Sequence, residues 1–414
     1  MNESVDILSS ASGGAPLKVA ILGAGGTIAP AIVRDLAESD EVDELVLLDI
    51  DSERAQSVAE LHGGSKARAA RADAKAEPDA EGSLASALQG VDVLLNSASY
   101  RVNLDAMAAC LRSGSHYLDL GGLYWMTELQ LELNQQFERD GLLALLGMGS
   151  APGKTNLMAR IAVDALSDGG SDHPPTADAE VSERDQRGFG REGTRAEHVG
   201  EIHVSAAGRD LDPPQGFSVP YALQTLLDEL TMRPVVLRGG SPKEVEPLSD
   251  GGVVDFGDPI GPGETIHTIH SEMRTFGDSF GCREASFRLG LSPQLLSTLR
   301  ELTTADPAEI KRKGAEAKPP SASTVSVHLV EASANGHAVR VRAVTEPMEK
   351  WGIGGGIVST AAPAAAAVRL LARGGIEARG VMPPERCIDP DAMFAELEPR
   401  GCRVEIEAVQ EAGV

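Results

Sequence analysis

The chain has 414 residues, with 62 Asp and Glu against 37 Lys and Arg, a net charge of -25. That length buries a large core and divides into about two domains, while so acidic a surface repels nucleic acid and anionic membranes and excludes both as partners. No uninterrupted apolar stretch reaches the roughly 18 residues that span a bilayer, and the four cysteines are far apart with no C-x-x-C pair, which reads as reduced thiols in a cytoplasmic protein with no metal site.

Residues 1–15 are small and polar and read as a flexible tail. The run Leu17-Lys18-Val19-Ala20-Ile21-Leu22 then has the apolar, β-branched character of a buried parallel strand. Gly23 and Gly25 follow where a strand must turn into a helix and let a pyrophosphate approach the backbone. Gly26, Thr27 and Ile28 complete the turn, and the helix after it offers its N-terminal N–H groups to phosphate. Ile28 stands where the third glycine of G-x-G-x-x-G belongs, although Gly26 and Ala29 keep the neighbourhood small. A second strand ends in Asp49, whose carboxylate suits the ribose hydroxyls and repels a 2′-phosphate; this favours NAD and admits NADP as the alternative.

Residues 52–62 predict a second helix, 84–88 a short one, and 91–96 a third apolar strand. The last of these runs into Ser97-Ala98-Ser99-Tyr100 at the carboxyl edge, where doubly wound sheets bind ligands. Further β/α alternation reaches Gly147-Met148-Gly149-Ser150-Ala151-Pro152-Gly153-Lys154 and a helix over 157–166, where it stops. Residues 167–193 read as a loop with a strand starting at Ala179, and 303–323 as an exposed linker. Short strands over 201–205, 234–238, 252–256, 286–289, 324–329 and 338–344 predict a mixed or antiparallel second sheet. A glycine-led helix over 357–371 and a small helix and strand close the chain.

Taken in order, ILGAGG at 21–26, LLDID at 47–51, HYLDLGG at 116–122, GMGSAPGKTNLMA at 147–159, GETIHTIHSE at 263–272, GGGIVSTAAPAAAA at 354–367 and GVMPPE at 380–385 resemble the saccharopine dehydrogenase-like family, including its lysine 6-dehydrogenase and carboxynorspermidine or saccharopine reductase branches. The resemblance implies an α/β fold: a Rossmann doubly wound parallel sheet, residues 16–150 plus 355–414, with an inserted α+β mixed-sheet substrate and dimerisation domain, 151–354. It also implies a homodimer and hydride transfer at a C–N bond, as amine oxidation or imine reduction, on an amino acid or diamine-derived substrate. A condensing reductase of the carboxynorspermidine type and a non-catalytic dinucleotide-binding regulator are the alternatives.

Such chemistry needs a group that takes or gives a proton near neutral pH, which His267 and His270 supply. On a strand-like segment three residues apart, the two face opposite sides; the alternative for each is a hydrogen-bonded sheet residue. Asp119 either pairs with a substrate ammonium or orients the base, the alternative being a cap on the following turn, and Tyr100 matches a tyrosine that the resemblance places at the nicotinamide, the alternative being a packing residue. The cofactor set is Gly23, Gly25, Gly26, Thr27, Ile28, Asp49, Ser97, Ala98, Ser99 and Gly149. Gly121, Gly122, Pro152, Gly153, Lys154, Glu272 and Arg274 are the substrate candidates, with Lys154 either a carboxylate ligand or solvated.

Overall fold

The computed structural model describes residues 15–168, 199–219 and 223–410. The 167–193 loop lies almost wholly outside them, and the strand start at Ala179 wholly so.

Six strands in chain order, β1 (Leu17–Leu22), β2 (Val42–Asp49), β3 (Ala67–Arg71), β4 (Val93–Asn96), β5 (His116–Asp119) and β6 (Leu143–Leu145), form one parallel sheet with Gly380–Met382. Their spatial order is β3-β2-β1-β4-β5-β6 followed by Gly380–Met382. Strand order reverses between β1 and β4, the switch point at which a doubly wound sheet opens a ligand crevice. The central strands are buried on both faces, so β1 and β4 are nearly continuous apolar runs that do not alternate, whereas the edge strand β3 is only half-buried and carries Arg68 and Arg71.

The second sheet runs Asp250–Asp255, Pro262–His267, Glu284–Gly290, Glu201–Asp210, Thr324–Ala334, His337–Thr345 and Cys402–Gln410. Its pairs are antiparallel except for Glu284–Gly290 beside Glu201–Asp210. Cys402–Gln410 pairs with His337–Thr345 along its whole length. The C-terminal segment is therefore shared between the sheets and does not return as one piece to the first, as the sequence suggested.

Two other expectations change. The stretch read as a linker contains the helix Pro307–Glu316, started by the Asp306 carboxylate, which accepts from the Glu309 N–H at 2.9 Å. Its exposed, charged surface hid it from an apolar-periodicity reading. Helix Gly355–Ala372 is long and apolar enough to cross a membrane, but 72% of it is buried inside the protein, between the Ala29–Ala37 helix and the second sheet. The four cysteines are buried free thiols.

A charge cluster fastens the returning C-terminal helices to the first sheet. Asp35, 1% exposed, accepts from Arg369 Nη1 at 3.0 Å and from Arg400 Nη2 at 2.8 Å. Arg369 also donates through Nε to Glu396 at 2.5 Å, and Arg373 bridges Glu396 and Glu41. Removing one member of such a buried group leaves a charge without its partner. The substitution Asp35→Ala is expected to cost about 3–5 kcal/mol of stability, and joint Asp35→Leu with Arg369→Met distinctly less. Urea denaturation measures both, and equal losses would show that charge pairing is not what fastens these helices.

Candidate functional site

A cavity of about 1410 Å³ lies along the carboxyl edge of the parallel sheet and continues across one end of the second sheet. Gly23, Gly25, Gly26, Thr27, Ile28, Asp49, Ser97, Ala98 and Ser99 all line it. Gly23 has φ +78°, and a Cβ there would meet the Ala98 backbone N at 2.6 Å. A side chain at this position would thus be strained and would also fill the crevice between β1 and β4. A Cβ on Gly25 would lie 2.8 Å from Arg54 Cβ. The Ala29–Ala37 helix begins with no side-chain cap, so its positive end faces the crevice uncovered. Asp49 Oδ2 accepts from Gly25 N at 2.8 Å and Oδ1 from Asp51 N at 2.9 Å, which hold its carboxylate at the cavity wall. This cradle of close backbone, helix terminus and braced acid fits a dinucleotide. Ile28 packs against the core where a glycine was expected, and the small residues Ala24 and Ala29 are buried beside it.

Asp119 faces away from the cavity. Its carboxylate, 1% exposed, accepts from Tyr117 Oη (2.9 Å), Gln130 Nε2 (2.7 Å), Asn103 Nδ2 (3.1 Å), Gly121 N (2.9 Å) and Gly147 N (2.7 Å). Burial pushes its pKa up, and those hydrogen bonds oppose the shift. A carboxylate so engaged does not pair with a substrate ammonium; it fixes the loops after β5 and β6. Gly121 and Gly122 line the cavity. Gly121 is also required for packing, because its Cβ would lie 2.6 Å from Pro152 Cγ.

The expected anion site at the start of helix Lys154–Asp168 is closed by its own loop: Gly153 N donates to Asn156 Oδ1, Lys154 N to Gly149 O and Thr155 N to Ser150 O. Pro152 reaches the cavity, whereas Gly149, Gly153 and Lys154 do not. Gly153, at φ +118°, belongs to the fold of the loop, since its Cβ would sit 2.4 Å from Gly149 O. Lys154 is neither solvated nor a substrate ligand. It is fully buried, donates to Thr345 Oγ1 at 3.0 Å and Ser359 Oγ at 2.7 Å, and is lowered in pKa by burial. Arg274 pairs with Asp278 and Glu128 outside the cavity and clamps no carboxylate there.

His267 ends its strand beside Ser249, away from the cavity, whereas His270 is on the wall. The His270 ring stacks on Phe287 with centroids 3.4 Å apart, and its Nδ1 lies 3.5 Å from Glu272 Oε2. Glu272 is fully buried, and its other oxygen accepts from Thr155 Oγ1 at 2.8 Å. Tyr100 also lines the cavity, but its hydroxyl donates to Asp228 Oδ2 at 2.9 Å, and Arg101 binds the same oxygen. Burial first and Asp228 second push the phenol up to about 12, so Tyr100 stays protonated and clasps the helix Leu223–Thr231 across the opening. The sequence reading missed His328, Asp228 and Glu229. His328 had a signal: in Thr324-Val325-Ser326-Val327-His328-Leu329 the polar residues alternate with apolar ones and share one face of a strand.

Residues 19–145 match the family described as saccharopine dehydrogenase NADP binding domain. A stretch of 152 residues is 30% identical to carboxyaminopropylagmatine dehydrogenase of Synechocystis sp., covering 35% of this chain and 37% of that protein, so the likeness spans little more than a third of the relative. In three dimensions the chain is similar to apo saccharopine dehydrogenase (L-Glu forming) of Saccharomyces cerevisiae, with a TM-score of 0.62 and 14% identity over 95% of this chain and all of that one. The Gly23 crevice lies inside the matched dinucleotide-binding domain, and the fold is shared with that dehydrogenase over nearly the whole chain.

Proposed function

We propose that this protein is an NAD(P)-dependent oxidoreductase that oxidises an amine or reduces an imine in an amino acid or diamine-derived substrate. The observation that carries the reading is His270, backed by the buried Glu272 and set on the wall of the cavity that the dinucleotide cradle opens into. The nicotinamide, when bound, accepts or supplies the hydride. The chain has the proton to handle: an amine must shed an N–H proton as its carbon is oxidised, and an imine nitrogen must gain one as its carbon is reduced. His270 does either, because an imidazole ring nitrogen can both accept and donate a proton. Glu272 faces Nδ1 and leaves Nε2 for the substrate, and the Phe287 stack fixes the ring plane. Asp49, held by two backbone N–H groups, cannot swing away from a 2′-phosphate, which supports NAD as the preferred form. Exposed Val253 and Ile406 on the two outer strands of the second sheet support a homodimer formed through it.

Gly23→Ala is expected to weaken NADH binding at least about tenfold, the equivalent of 1.4 kcal/mol, with circular dichroism unchanged. Unaltered fluorescence titration would mean that the dinucleotide does not approach this turn. NADH should bind more tightly than NADPH, with Asp49→Ser narrowing the gap; tighter NADPH binding by the native chain would overturn the assignment to Asp49. His270→Gln should lower kcat about 100-fold or more without loss of NADH binding. Tyr100→Phe, by contrast, should leave the ionisations in the pH–rate profile in place, because the phenol titrates only at about 12. A basic limb that vanishes in Tyr100→Phe would make the tyrosine the proton carrier.

A further inference from the structure

His328 is absent from every role above. It is 3% exposed, lines the cavity, and its Nδ1 is enclosed with no hydrogen-bond partner among the described residues. On its strand it sits opposite Ala206 on one side and Ala343 on the other, and these small neighbours let the cavity reach the ring. His270, 8% exposed, likewise has an enclosed Nε2 with no hydrogen-bond partner among the described residues. An unpartnered buried polar atom costs about 1–3 kcal/mol, so two on one cavity wall are better explained by a ligand than by the fold.

We propose that His328 is a substrate-binding residue that holds the reacting amine by accepting one of its N–H bonds while His270 takes another of its protons. This rests on the C–N chemistry proposed above. A primary ammonium has three N–H bonds. One proton passes to His270, the freed electron pair on nitrogen becomes the C=N π bond as the C–H hydrogen leaves the carbon with its own pair, and a remaining N–H stays on His328. Reduction of an imine runs the same steps in reverse. The two histidines differ as this division of labour requires. His270 has a carboxylate behind it to stabilise a gained proton. His328 is held well below the ordinary histidine value by burial, then by the neighbouring Lys154 charge and His270, so it stays an uncharged acceptor and orients nitrogen without competing for the proton.

The test compares His328→Phe, which keeps a flat ring, with His328→Gln, which keeps an acceptor. Titration of n-butylamine into NADH-saturated protein at high KCl, which screens the acidic surface, is expected to show saturable binding by the native chain. Binding should weaken at least about tenfold, the equivalent of 1.4 kcal/mol, in His328→Phe, and recover most of the loss in His328→Gln. NADH affinity and melting temperature should hold in both. With a turned-over amine, KM should rise more than kcat falls and the acid limb of the profile should persist. Equal n-butylamine binding by the native and Phe chains overturns the role of His328 and leaves the oxidoreductase reading standing. A fall in NADH affinity and melting temperature in both variants makes the residue structural and also overturns it. No amine binding and no amine or imine turnover by the native chain overturns that reading, and this inference with it.

Discussion

The carboxylate of Asp119 is the constraint on which the ligand edge depends. Five donors from four segments converge on two oxygens, and no neutral side chain of that size presents as many lone pairs. The network extends past the acid. Asn103, which donates to Asp119, accepts from Asn96 Nδ2 at 2.9 Å, and Asn96 Oδ1 accepts from Ala98 N at 3.0 Å. The wall of the crevice after β4 and the glycine loops after β5 and β6 are thereby one hydrogen-bonded unit. Buried polar networks of this kind are rigid because each member left unpartnered would cost the desolvation of its group.

The link between that unit and the second sheet runs through the first turn of helix Lys154–Asp168. Successive side chains of a helix point about 100° apart, and here three in a row reach four different elements. Lys154 reaches Thr345 and Ser359, Thr155 reaches Glu272, and Asn156 reaches Glu385 at 2.8 Å. Glu385, buried and raised in pKa by burial, also accepts from Ser279. Lys154, weighed in the sequence as a carboxylate ligand, is thus, with Thr155 and Asn156, one spoke of a joint. One of them, Thr155, orients the Glu272 carboxylate beside His270, so that pair is set by the same turn that joins the two sheets.

What the sequence disclosed and what it hid divide along the range of the interactions. The strand over Leu17–Leu22, the Gly23 turn and the acid at Asp49 follow from steric rules that act within a few residues, and the structure has them at the crevice. Asp119 and Lys154 were noticed for their chemistry. Their roles came from partners as far away as Gly147 and Ser359, which no local pattern encodes. His267 and His270 are three residues apart in the sequence, but the strand ends between them, so only the second reaches the cavity. His328 was legible in principle from a period of two. It was passed over because the segment was read only as a strand of the second sheet.

Electrostatics divides the two ligands in a similar way. A surface carrying -25 draws in a cationic amine and opposes an anionic dinucleotide. Attraction at long range would therefore serve an amine, and a dinucleotide has to be held by short-range contacts. The uncapped helix terminus beyond Ile28 and the cations Arg54 and Lys75 on the cavity wall supply these locally. Asp49 lines the same cavity, so this stretch of wall sets one fixed acid against two cations. Because both oxygens of that acid are bound by backbone N–H groups, while long Arg and Lys side chains can turn toward solvent, the acid is the member whose position is fixed.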